Sequence, residues 1–268
     1  MKTLAIVGCG KLGKIVARAV KEGLLPEYKL IAAYSRTYDK TEETSAMVGG
    51  CRPCQSLAEL LEMKPDFIAE TASPAAMREL ALPALKGGSS IVTLSIGAFA
   101  DDQFYADVMT TARESGARVY IASGATGGFD VLRTAALMGE VFAKEGSGAK
   151  AEVDFFNEKG PNALKGTPVY DESLQQESKV VFTGTAAQAI ASFPTKVNVT
   201  VAASRASVGP GNVNVKMQST PGFVGDTQRV EIRNRQVRAV VDVYSETAEI
   251  AGWSMVAVLQ NIMSPIVF

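Results

Sequence analysis

The sequence predicts an α/β chain in two parts: a doubly wound parallel sheet over residues 1–125, then an α+β region with a mixed or antiparallel sheet over residues 126–268. Three observations lead there. The chain opens as an apolar run, a glycine-rich turn and an amphipathic stretch. Strand-length apolar runs and helical stretches then alternate up to about residue 125, which is the pattern of βα units feeding right-handed crossovers. Beyond that point strands dominate, and the last two are separated by a tight turn. A chain of 268 residues is long enough to bury a substantial core.

The elements follow in order. Thr3 to Val7 reads as the first strand and Lys14 to Val20 as the helix after the glycine turn. Tyr28 to Tyr34 is a second strand, Ser56 to Met63 a helix and Asp66 to Glu70 a third strand. Pro74 to Leu85 is helical, with its proline at a helix start, where a missing N–H costs little. Ser90 to Leu94 is a fourth strand, Asp101 to Ser115 a helix and Arg118 to Ile121 a fifth strand. Phe129 to Ala143 then forms a long helix. Lys150 to Phe156, Lys179 to Phe182, Val213 to Gln218, Arg229 to Arg233 and Val237 to Tyr244 all have strand character. The last pair reads as a hairpin turned at Asn234-Arg235. Ala248 to Met263 has helical periodicity and an apolar face, and it is a candidate to pack back on the N-terminal domain.

The opening turn carries the first chemistry. Gly8-Cys9-Gly10-Lys11-Leu12-Gly13 is a G-x-G-x-x-G between a strand and a helix, the context in which these glycines signify a dinucleotide. Gly8 permits the tight turn, Gly10 lets backbone approach a pyrophosphate held at the helix N-terminus, and Gly13 lets helix and strand pack closely. A plain glycine turn in a generic α/β domain is the bland alternative. In this Rossmann arrangement, the end of the second strand meets the adenine ribose, where an acidic residue selects NAD and an arginine accommodates the 2′-phosphate of NADP. Here the strand runs into Ser35-Arg36-Thr37, with no carboxylate before Asp39. NADP is therefore the expected cofactor, with NAD as the alternative; Arg36 as a solvated loop charge is the competing reading.

Composition excludes several other functions. With 27 Lys and Arg against 28 Asp and Glu, the net charge of −1 offers nothing to nucleic acid or to an anionic membrane. The N-terminus does not resemble a signal peptide, and no apolar stretch is long enough to span a bilayer, so a cytoplasmic protein is expected. The three cysteines suit a reducing compartment. Cys51-Arg-Pro-Cys54 is a C-x-x-C, but the chain has one further cysteine and no histidine, too few ligands for zinc, so no metal is expected. A surface loop is the expected setting for this pair, with a redox role as the alternative.

Further motifs fall where open α/β sheets bind ligands, after the carboxyl ends of strands. Glu70-Thr71-Ala72-Ser73-Pro74 follows the third strand, and Ser95-Ile96-Gly97-Ala98-Phe99-Ala100-Asp101 the fourth. Ala122-Ser123-Gly124-Ala125-Thr126-Gly127-Gly128-Phe129-Asp130 follows the fifth, and Phe193-Pro194-Thr195-Lys196-Val197-Asn198-Val199 lies in the second domain. Small residues there would let a nicotinamide lie against backbone. The cofactor-binding set is thus Gly8, Gly10, Lys11, Leu12, Gly13, Ser35, Arg36, Thr37, Thr71, Ala72, Ser73, Ser95, Gly97, Ala98, Ser123, Gly124 and Ala125.

In this order the motifs resemble the L-aspartate dehydrogenase family over nearly the whole chain, the Ser-Gly-Ala-x-Gly-Gly stretch most specifically. The resemblance implies an NAD(P)-dependent oxidoreductase, usually a homodimer, that removes hydride from the α-carbon of aspartate to give iminoaspartate, which hydrolyses to oxaloacetate and ammonia. The chain departs from the family in the second domain. The family's Asp-Pro-x4-Asn-x-His-x-Ile stretch aligns without a gap on Thr220 to Val230, which places Gln228 at the histidine, Asp226 at the asparagine and Thr220 at the leading aspartate. In the Phe-Pro stretch Lys196 stands for an asparagine, while Asn198 is kept. Glutamine hydrogen-bonds but cannot transfer a proton. The expected catalytic set is therefore Gln228, Asn198, Lys196 and Asp226, with Lys159 and Arg229 as further candidates to replace the histidine or clamp a carboxylate. Three readings remain: an aspartate-dehydrogenase-like enzyme acting on a small amino or imino dicarboxylate, a reductase of the same fold acting on another imine or carbonyl, and a non-catalytic NADP-binding protein.

Overall fold

The structure is a computed structural model that describes residues 1–193 and 197–268, and the chain divides into two units. Unit 1 comprises Met1–Gly124 with Glu249–Phe268. Its strands and helices run β1 (Lys2–Val7), α1 (Lys11–Lys21), β2 (Tyr28–Tyr34), α2 (Tyr38–Ala46), β3 (Arg52–Cys54), α3 (Leu57–Glu62), β4 (Phe67–Glu70), α4 (Pro74–Lys86), β5 (Ser90–Thr93), α5 (Asp102–Ser115) and β6 (Val119–Ile121). A short 3₁₀ helix, Ile96–Ala100, lies between β5 and α5. All strand pairs are parallel, in the order β3-β2-β1-β4-β5-β6, so the order reverses between β1 and β4.

Local chemistry sets several of these boundaries. Ser56, Ser73 and Asp101 cap α3, α4 and α5 by accepting a backbone N–H from three residues on. Gly116 closes α5 in the left-handed region, at φ +75°. Leu4, Ile6, Val16, Ala69 and Val92 are buried together, because parallel strands covered on both faces need apolar residues throughout.

Two elements of unit 1 lie outside the sequence-based expectation. β3 falls on Arg52-Pro-Cys54, where a surface loop was expected. It is a three-residue edge strand, a position that tolerates proline, and Cys54 is fully buried. α2 buries Thr41, Thr44 and Ser45 in place of an apolar stripe, so periodicity does not mark it. Burial pushes all three thiols up, Cys51 to about 11, which holds them protonated and unreactive at neutral pH.

Unit 2 comprises Ala125–Ala248. It contains α6 (Phe129–Lys144), β7 (Glu152–Lys159), β8 (Lys179–Thr185), α7 (Ala186–Ser192), α8 (Asn198–Arg205), β9 (Val213–Ser219), β10 (Asp226–Arg233) and β11 (Arg238–Ser245). The sheet order is β11-β10-β7-β9-β8; β7 and β9 are parallel and the other pairs antiparallel, a mixed sheet. The β10–β11 hairpin is led by Asn234, whose Oδ1 accepts the N–H groups of Gln236 and Val237. One face of the sheet is apolar over most of its length: Val153, Phe155, Val213, Val215, Met217, Val230 and Ile232 are buried with Leu132 and Ala135 of α6.

The last helix, α9 (Glu249–Met263), belongs to unit 1. Gly252 brings it against Ile15 of α1, Arg18 stacks 5.3 Å over the Trp253 ring, and the Tyr28 hydroxyl donates to the Leu259 carbonyl at 2.9 Å. Met255 and Leu259 are fully buried in the unit 1 core. Among the described residues no helix is long and apolar enough to cross a membrane. Leu259→Ala is expected to lower the unfolding free energy by about 2–5 kcal/mol, as buried leucine truncations do, measured by urea titration.

Candidate active site

The glycine turn follows β1 at the point where the strand order of unit 1 reverses. Gly8 sits at φ +103°, and a Cβ there would stand 2.6 Å from the Ala72 nitrogen. A Cβ on Gly13 would stand 2.0 Å from the Gly8 carbonyl oxygen. Gly10 is different: its Cβ would meet nothing within 4 Å. It precedes α1, an eleven-residue helix with no side-chain cap and no acidic residue in its first turn. An open backbone position leading into an uncapped, positively polarised helix end fits a pyrophosphate. Lys11 pairs with Glu249 at 3.1 Å while remaining exposed, and Leu12 is half-buried against the unit 1 core.

Beyond β2, Ser35 is half-buried, and Arg36 and Thr37 are exposed. Among the described residues Arg36 is in no ion pair, so its guanidinium is available to a ligand phosphate.

The next two loops are organised by a residue that sequence reasoning passed over. Glu70, the last residue of β4 and the register partner of Val7, is fully buried. Its Oε1 accepts the Ala72 N–H at 2.8 Å, the Ser73 N–H at 3.1 Å and the Ser95 hydroxyl at 2.8 Å. Its Oε2 accepts the Thr93 hydroxyl at 2.6 Å. Burial pushes the carboxyl up from its ordinary range, and the donated hydrogen bonds oppose that. The Thr71 hydroxyl donates to the Gly8 carbonyl at 2.6 Å, and Ser73 Oγ caps α4. The polar groups of Thr71, Ala72, Ser73 and Ser95 expected at the cofactor are thus already committed within the protein. Gly97 and Ala98 are buried in the 3₁₀ helix, and the Gly124 N–H donates to Ser254 Oγ at 3.0 Å. Ser123 is half-buried at the end of this unit, and Ala125, also half-buried, begins the other. A carboxylate ending the apolar run Phe67-Ile68-Ala69 was the available signal for Glu70.

In unit 2 the apolar face of the sheet turns polar at one end. Asp226 on β10, Lys159 on β7 and Ser219 on β9 are register partners, and Gln228 and Asn157 are partners in the next row but one along the same face. Lys159, Asn157, Gln228 and Ser219 are buried, whereas the Asp226 side chain is about a third exposed, at 32%. Gln228 Nε2 donates to Asp226 Oδ2 and Asn157 Nδ2 to Asp226 Oδ1, both at 2.6 Å, while Lys159 Nζ lies 3.7 Å from Oδ1. Asn157 Oδ1 and Ser219 Oγ are buried oxygens without a hydrogen-bond partner among the described residues. Unpartnered polar atoms in a core cost stability and signal a ligand or water position. The arrangement offers a cation, a carboxylate, amides and a hydroxyl converging at one place.

Of the residues expected here, the structure joins Asp226, Gln228 and Lys159. Asn198 is the first residue of α8 and half-buried, and Lys196 lies outside the described residues. Arg229 lies on the opposite face of β10, paired with Asp242 at 3.0 Å and Glu231 at 3.4 Å, because alternate strand residues point to opposite faces. Thr220, at the position of the leading aspartate, donates to Glu158 Oε1 at 2.6 Å. Asn157 and Ser219 were missed; their signal was a polar residue at an inward position of an alternating strand. Among the described residues no cluster of side chains could hold a metal.

A family profile described as "Homoserine dehydrogenase, NAD binding domain" matches residues 8–122, and one described as "Aspartate dehydrogenase, C-terminal" matches residues 142–262. The L-aspartate dehydrogenase of Methanocaldococcus jannaschii is 29% identical over 277 residues, covering 99% of this chain and 98% of the relative. That of Methanococcus maripaludis is 27% identical with the same coverage. Among solved structures, aspartate dehydrogenase from Thermotoga maritima gives a TM-score of 0.74 at 24% identity, covering 100% of this chain and 99% of that one. A hyperthermophilic archaeal homoserine dehydrogenase in complex with NADPH gives 0.62 at 13%, again covering 100% and 99%. These structural likenesses establish the fold.

The two glycines predict distinct outcomes. Gly10→Ala leaves the melting temperature unchanged but weakens dinucleotide binding, because its methyl group meets only the ligand. Gly13→Ala lowers the melting temperature as well, because its methyl group meets the Gly8 carbonyl. Thermal melts paired with dinucleotide fluorescence titrations separate the two.

Proposed function

We propose that this chain, which is similar over nearly its whole length to L-aspartate dehydrogenases, is an NAD(P)-dependent oxidoreductase that moves a hydride between NADP(H) and the α-carbon of a small amino or imino dicarboxylate. Aspartate, giving iminoaspartate and then oxaloacetate with ammonia, is the leading substrate. The observation that carries this reading is the polar end of the unit 2 sheet, which converges on Lys159 and Asp226 in the region matched to the aspartate dehydrogenase C-terminal profile.

When bound, the nicotinamide supplies or accepts the hydride, and the protein's part is to bind, orient and move protons. Gly10 and the N-terminus of α1 hold the pyrophosphate, with Gly8, Lys11, Leu12 and Gly13 shaping the turn. Arg36, with Ser35 and Thr37, takes the ribose 2′-phosphate, which favours NADP over NAD. Ser123, Gly97, Ala98 and Ala125 act through small size and backbone.

An ammonium group must lose a proton before hydride leaves its carbon. Gln228 cannot take that proton. Lys159 and Asp226 are titratable and adjacent, so we assign the proton transfer to this pair, with Gln228 and Asn157 orienting the carboxylate. The unpartnered Ser219 hydroxyl and Asn157 oxygen suit a substrate carboxylate and a substrate N–H, respectively. Asn198 and Lys196 are further substrate contacts in this reading. One observation favours a different imine or carbonyl substrate: Asp226 neutralises Lys159 and engages both amides, which lowers the positive potential offered to a second carboxylate.

The first test follows NADPH absorbance after addition of oxaloacetate and ammonia, with NADH in parallel. Oxidation that requires both oxaloacetate and ammonia is expected; no turnover with NADPH bound would shift the reading to the other substrate class. Lys159→Met is expected to lower kcat by roughly 10²–10⁴-fold, the usual effect of losing a general acid–base. Arg36→Ala is expected to reduce the NADPH-over-NADH preference in kcat/KM by about tenfold, through loss of a charge-assisted contact to the 2′-phosphate.

A further inference from the structure

Glu70 presents a fully buried carboxyl group whose four hydrogen-bonding partners are all neutral. Two of them are backbone N–H groups, which can only donate. Thr93 Oγ1 accepts the Ser95 N–H at 2.9 Å, which directs its own proton toward Glu70 Oε2. A proton on Oε1 would meet the two backbone N–H groups aimed at that oxygen, and one on Oε2 would turn toward Thr93 Oγ1 and strand the buried Thr93 hydrogen, at the cost of an unmade hydrogen bond. The ionised form leaves no donor stranded. Its position is also specific. Glu70 ends β4 beside Val7 of β1, at the reversal of strand order where open α/β sheets receive their ligand. The loop it gathers, Thr71–Ser73, is the one that touches Gly8.

We propose that Glu70 is a buried anion that favours the oxidised dinucleotide, whose nicotinamide ring is cationic, over the reduced form, whose ring is neutral. The inference rests on the dinucleotide reading of unit 1 and is independent of the substrate. Glu70 acts through its field and not by contact, and burial strengthens that field by excluding water. The expected effect is on the order of tenfold in a binding constant, about 1.4 kcal/mol between the two charges. A side chain that only braced two loops would alter the affinity for both forms alike.

The experiment measures dissociation constants of oxidised and reduced NADP with the wild-type protein and with Glu70→Gln, which keeps the shape and removes the charge. Wild type is expected to bind the oxidised form at least as tightly as the reduced form. Glu70→Gln is expected to raise the oxidised-to-reduced ratio of dissociation constants about tenfold. An unchanged ratio would overturn the proposal, because an amide and a neutral carboxylic acid carry the same charge. If Glu70→Gln does not fold, Glu70→Ala is measured in its place, and an unchanged ratio in that variant would overturn the proposal. Failure of wild type to bind either form would overturn the dinucleotide reading together with this one. No substrate enters the experiment, so its outcome is separate from the identity of the substrate.

Discussion

Gly13 has no room for a side chain, and much of unit 1 depends on that. The helix after the first strand lies so close to the preceding turn that a single methyl group would overlap the Gly8 carbonyl. This close approach sets α1 down on the sheet and aims its free N-terminal amides outward past Gly10, where the backbone is open. Gly8 extends the same constraint sideways, because its backbone meets that of Ala72 in the loop after the neighbouring strand. Three glycines thus serve three needs: positive φ, ligand access and helix packing.

The loop against which Gly8 rests is itself held by a buried carboxyl group. Isolated buried carboxylates are costly, and proteins avoid that cost by neutralising or fully hydrogen-bonding them. Glu70 receives four donors, from β5 and from the loops after β4 and β5, so the carboxyl ends of these two neighbouring strands are braced together. Unit 2 shows the complementary solution. There the buried ammonium of Lys159 is matched by Asp226, whose oxygens receive two amides, and the pair lies at the end of an apolar face. Two amide and hydroxyl oxygens there stay unpartnered, which a sheet built only for stability would replace with apolar groups.

Gln228 stands where the resemblance to the aspartate dehydrogenases implies a histidine. Gln228 occupies an inward place on β10 and donates to Asp226, two residues earlier on the same face. An amide there can donate and accept hydrogen bonds but cannot transfer a proton, whereas a carboxylate can.

The sequence alone determined the fold class, a doubly wound parallel sheet followed by a mixed sheet, because periodicity of two in strands, periodicity of 3.6 in helices and glycine punctuation are local signals. Gly8, Gly10 and Gly13 were legible for the same reason: their requirement is written in adjacent residues. The Asn234 turn was equally local. β3, α2, α7 and α8 were not legible, since three residues with a proline, a helix without an apolar stripe and two helices of seven and eight residues carry little periodic signature. The sites were legible only in part. Asp226, Gln228 and Lys159 could be named from the chain, but Arg229, one residue on, lies on the other face. Asn157, Ser219 and Glu70 became visible only when register set Asp226 beside Lys159 and Lys159 beside Ser219, and when two loops closed on one carboxylate. Register and burial depend on residues distant in sequence, and they decide which polar groups are left facing a ligand and which are bound up within the protein.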